Sequence, residues 1–123
     1  MHPWLARLRH DLLKHALWCA RDLRDCAGAS GPLKPADLQA LRRSLLELPD
    51  SEGRPTTAAQ LWRELRADSD AGPAALGAFE AAVLRAEAAV RASATDGSGG
   101  RAALAAVLDL ESAFLLLAQN FDP

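Results

Sequence analysis

PWLARLRHDLLKHALWCARDLRDC, residues 3–26, is the stretch whose reading decides the fold. No Gly or Pro interrupts it after Pro3, which suits a first helical turn because that position has no intrahelical use for an N–H. On a wheel of about 100° per residue, Leu5, Leu8, Leu12, Ala16, Cys19, Leu23 and Cys26 form one apolar stripe. That spacing predicts an amphipathic helix with a core face. Gly28 is placed to end it in a left-handed cap, and Gly31-Pro32 prevents its resumption.

Working outward, the same period recurs. Pro35 opens a second helix over 35–48, with Leu38, Leu41, Leu45 and Leu48 inward until Pro49 stops it. Thr56 or Thr57 can cap a short third helix to about residue 67, with Ala58, Leu61 and Leu65 inward and Trp62 at the edge. A fourth over 73–94 buries Leu76, Phe79, Val83, Ala86 and Val90, and a fifth over 101–120 carries Val107, Leu110, Phe114, Leu117 and Phe121. TDGSGG at 95–100 reads as a flexible connection rather than a phosphate loop, since no strand precedes it and no Gly-Lys-Ser/Thr follows. β-branched residues are scarce and nothing alternates with period two, so no strand is expected. The expectation is an all-α, antiparallel helical bundle of four main helices plus one short helix, in a single domain over residues 1–123.

Composition narrows function by exclusion. The 123 residues are 50% apolar, which suits one packed core. Fourteen basic and sixteen acidic residues, intermixed, give a net charge of −2 without a basic stripe, which argues against nucleic acid. Cys19 and Cys26 lie seven residues apart on one helix. That is a rise of roughly 10 Å, too far for a disulfide, and reduced thiols fit the cytoplasm. The N-terminus lacks the apolar core of a secretory signal, and no apolar run is long enough to span a membrane. A soluble cytoplasmic chain is expected.

Helix 1 has a second apolar side. Leu13 and Leu17 lie off the core stripe with Trp18 beside them, and Leu104, Leu108 and Leu115 form a second stripe on the fifth helix. One explanation is that both helices sit centrally and touch neighbours on two sides. The other is a protein-contact surface, most simply a homodimer, because exposed Leu with Trp at helical spacing is what a helix–helix interface needs.

Two constellations could carry chemistry. In Arg9-His10-Asp11-Leu12-Leu13-Lys14, His10 falls opposite the core stripe, next to an acid that would favour its reactive tautomer. A cation one turn on would offset phosphate charge. The Arg-His-Asp string resembles the phosphoacceptor helix of dimeric histidine kinases and sporulation-type phosphotransferases. The resemblance implies His10 as phosphoacceptor with Asp11 as helper. Lys14 stands where that family has Asn, no Pro follows a turn later, and no ATP-binding domain accompanies the helix. The second constellation is His15 and Cys19, at i and i+4, close enough to share a metal ion. Further ligands would come from Asp22, Cys26, Glu80, Glu87, Asp109 or Glu111.

No CxxC, HExxH or nucleophile elbow occurs, and no cofactor is implied. The sequence therefore points to a non-catalytic, self-associating interaction domain of accessory or regulatory type. Phosphotransfer at His10 is the first alternative, and a metal or small-ligand site at His15 and Cys19 the second.

Overall fold

The structure, a computed structural model, describes residues 2–27, 33–49, 52–69, 71–93 and 99–121, without the side chains of Cys26 and Ala27. Its first helix, α1, passes through three consecutive segments: α-helical Pro3–Leu8, a π-helical turn at Arg9–Leu13, and α-helical Lys14–Ala27. His2 caps the start, its Nδ1 accepting from Trp4 N–H at 3.1 Å. In the π turn the Lys14 N–H reaches back to the Arg9 carbonyl. Such a turn holds one residue more than an α turn, so everything after it is rotated relative to everything before it.

That rotation corrects the expected stripe. Before the turn the buried residues are Trp4, Leu5 and Leu8, within it Leu12 and Leu13, and after it Ala16, Leu17, Ala20 and Leu23. Adjacent Leu12 and Leu13 are both inside, which an unbroken α-helix does not permit on one narrow face. Leu13 and Leu17, expected off the core face, therefore belong to the core. Cys19, expected inside, is only half-buried, and the expected place of Cys26 in the stripe falls on a side chain outside the described residues.

The other helices are α2 (Pro35–Leu46), α3 (Ala58–Arg66), α4 (Pro73–Ala92) and α5 (Gly100–Ala118). The fold is all-α, with helix packed on helix as in a helical bundle. Helix α2 stops two residues short of the expected end. Leu48 precedes Pro49, and the proline ring forces the residue before it into extended geometry. Leu48–Pro49 (β1) then pairs antiparallel with Pro55–Thr56 (β2), a two-residue ladder not expected from the sequence.

Thr57 caps α3 by accepting from Gln60 N–H, and α4 contributes a second cap. Glu87, buried on α4, accepts from Ala59 N–H at 3.2 Å and from Arg91 at 2.7 Å. Gly99 precedes α5 at φ +81°, a left-handed position suited to glycine. Gly100 lies against Leu33, where an added Cβ would come within 3.0 Å of the leucine side chain. The Gly28 cap and residues 94–98 of the expected fourth helix and linker lie outside the described residues.

An aromatic chain closes one end of the bundle. Trp4 stacks on Phe121 at 5.2 Å, meets Trp62 edge-on at 5.9 Å, and Trp62 leans on Phe79 at 4.7 Å. Trp62, expected at the edge, is completely buried there. The Trp4 indole N–H donates to the Leu65 carbonyl at 2.8 Å, tying the start of α1 to the end of α3. These contacts place α5 antiparallel to α1, since Phe121 sits by Trp4 while Glu111 pairs with Arg21. No helix among the described residues is long and apolar enough to cross a membrane.

Candidate functional site

The rotation at the π turn also decides what α1 presents outward. With Leu17 turned inward at 9% exposure, its neighbour Trp18 is 69% exposed. On the antiparallel α5, Phe114 and Leu117 fill the core and Leu115 is left 58% exposed. Trp18 and Leu115 thus come to opposite walls of one groove of about 680 Å³, floored by Leu13, Leu17 and Phe114. The two apolar surfaces expected separately on α1 and α5 are joined here for part of their length.

The remaining expected residues fall elsewhere. Leu104 is buried in the core, because α5 turns that side toward the bundle, and Leu108 is half-buried against it. Neither lines the groove. Leu116 and Leu84 are exposed large side chains that the periodicity reading did not single out. Each lies between core positions on an Ala- and Leu-rich helix, where hydropathy does not separate inside from outside.

The rim of the groove is polar and mostly cationic. Arg9, His10, Lys14 and Arg21 come from α1, and Glu111 comes from α5. Arg21 donates from Nε to Glu111 at 3.0 Å, and this hydrogen bond and charge push the guanidinium pKa above its already high value. Arg9 and Lys14 are exposed and carry no ion pair or hydrogen-bonded side-chain partner among the described residues. The rim therefore holds two uncompensated positive charges over an apolar floor.

His10 lies within the π turn, with 73% of its side chain exposed. Its Nδ1 is 3.0 Å from Asp11 Oδ1. In this contact a protonated Nδ1 donates to the carboxylate, which can only accept when ionised. Asp11 is itself held by Arg7 at 3.6 Å, and Arg7 also donates to Asp68 at 3.2 Å.

His15 and Cys19 border a separate shallow hollow beside Ser44 and Glu47. Burial, and then the charges of Asp22 and Asp37, raise the Cys19 thiol pKa above its ordinary 9.0. Such a thiol resists the deprotonation that metal binding requires. Of the further ligands considered, Glu87 is committed to the α3 cap and Arg91, Glu111 to Arg21, and Glu80 to Arg66. Among the described residues no group of three His, Cys, Asp or Glu side chains is placed to hold a metal ion.

No family model, curated protein or solved structure matches the chain.

Proposed function

We propose that this chain is a non-catalytic interaction domain, accessory or regulatory to a larger assembly in the cytoplasm, that works by docking a protein partner in the α1–α5 groove. The observation that carries the reading is the pair Trp18 and Leu115, both largely exposed across an apolar floor. Trp4 and Trp62 lie in the core, whereas Trp18 leaves 69% of its surface exposed. A large exposed indole beside a groove is the composition of an interface hot spot.

A photo-crosslinking residue placed at Trp18 tests this directly. In cells it should yield a discrete crosslinked protein, identified by mass spectrometry, while the same residue at exposed Arg85 yields none. A crosslink to a second copy would identify the expected homodimer. Equal labelling from both positions would sink the reading.

A second reading, phosphotransfer at His10, is favoured by one specific contact, the 3.0 Å approach of Asp11 to Nδ1. Nε2 would attack the phosphorus of an acyl-phosphate or phosphoramidate donor. The P–N bond forms as the donor's P–O or P–N bond breaks, and the leaving group departs with that electron pair. Incubation with phosphoramidate should give an acid-labile phosphoryl adduct that His10→Ala abolishes, and an adduct that persists in the variant would exclude His10.

A further inference from the structure

The groove reading leaves its occupant open, and the rim narrows it. On α1 the lining runs from Ala6 to Arg21, sixteen residues of helix or roughly 22 Å. Among the described residues, the facing wall on α5 is supplied by Glu111, Phe114 and Leu115. A groove that follows α1 for this length and is walled on its far side by one turn of α5 has the form that accepts one further helix lying along α1.

Charge selects the kind of helix. Arg9 and Lys14 stand on the rim without partners among the described residues, while the one rim acid, Glu111, is engaged by Arg21. A second copy docking the same face would bring this cationic rim toward itself, which an interface with two-fold symmetry cannot avoid. We infer that the groove takes an acidic amphipathic helix of a different protein, about four turns long, with large apolar residues at i, i+4 spacing and Asp or Glu flanking them. The apolar residues would pack against the exposed Trp18 and Leu115, and the flanking carboxylates would meet Arg9 and Lys14. This rests on the groove being the working surface.

The overall charge makes the test discriminating. At a net −2, non-specific electrostatics favours a cationic peptide, so only the local rim favours an anionic one. The probes are two fluorescein-labelled helical peptides of sixteen residues with identical Leu positions, one flanked by Glu and the other by Lys. Fluorescence anisotropy should show the Glu peptide binding at least tenfold tighter at low salt, with the gap closing as salt rises. Arg9→Glu combined with Lys14→Glu should invert the preference, and Trp18→Ala should weaken both peptides at least tenfold. All three positions are exposed, and circular dichroism checks that the variants remain helical.

Binding of both peptides with equal affinity, lost in Trp18→Ala, would overturn the acidic-helix inference and keep the groove. Binding that ignores Trp18→Ala, or no binding of either peptide, would overturn the groove as well. A dimer in native mass spectrometry that Trp18→Glu dissolves would assign the groove to a second copy, overturning the inference alone.

Discussion

Neighbouring residues on α1 have opposite fates, and single substitutions expose this. Cys19 illustrates it in chemistry. Its thiol pKa is raised by burial and by Asp22 and Asp37, so the folded state prefers the protonated form more than the unfolded chain does. The resulting stability is fully present below the unfolded value of 9.0 and is lost as pH climbs toward the higher folded value. In a Cys26→Ser background, iodoacetamide should label folded Cys19 more slowly than the urea-unfolded chain at pH 8. Cys19→Ala should remove part of the stability loss seen above pH 9.0. Equal labelling rates in the two states would show a thiol that is neither shielded nor shifted. Glu87, on α4, is a buried charge with a structural role. Its carboxylate is buried while satisfying the Ala59 N–H and Arg91. Glu87→Ala should cost about 2–3 kcal/mol in urea denaturation, and Glu87→Gln less, since its amide oxygen still accepts from Ala59. Equal costs would mean that the charge facing Arg91, rather than the bond to Ala59, carries the contribution.

The elements were legible because their signals are local. Pro35 and Pro73 open α2 and α4, Thr57 caps α3, and leucines repeat at three and four. The π turn was not legible. Arg9–Leu13 contains no Gly or Pro to mark it, and the adjacent Leu12 and Leu13 fit two different stripes equally well until the neighbouring helices choose. Tertiary packing, by burying both, makes the extra residue. If so, the turn should tolerate shortening. Deleting exposed His10 lets the ladder close as an α-helix with both halves still in phase, at a cost below about 1.5 kcal/mol. Deleting exposed Arg85 within α4 instead rotates Ala86, Glu87 and Val90 by about 100° away from Phe79 and Val83. That variant should lose roughly 3 kcal/mol or more. Equal losses in chemical denaturation would show that the π turn is not an insertion in the ladder.

At the scale of the whole molecule, the groove is a long-range product that no single helix contains. Helix α1 supplies Trp18 only because the π turn carries Leu17 inward. Helix α5 supplies Leu115 only because the aromatic end, through Phe121 and Trp4, sets it antiparallel. The sequence therefore indicated the participants Trp18 and Leu115, but it grouped them with Leu13, Leu17, Leu104 and Leu108 on the second apolar sides of the two helices and left open whether those sides met neighbouring helices or a partner. Helical period alone cannot divide an all-round apolar helix into core and contact faces. The division has a sharp experimental consequence. Leu17→Glu removes a core leucine and leaves a carboxylate at a position only 9% exposed, and should lower Tm by more than about 10 °C. Trp18→Glu, one residue on, meets solvent and should change stability by less than about 0.5 kcal/mol. Only the second variant can separate loss of a partner from loss of the fold. If Trp18→Glu unfolded the chain as Leu17→Glu does, the indole would be part of the core, and its exposed face would no longer support a docking surface.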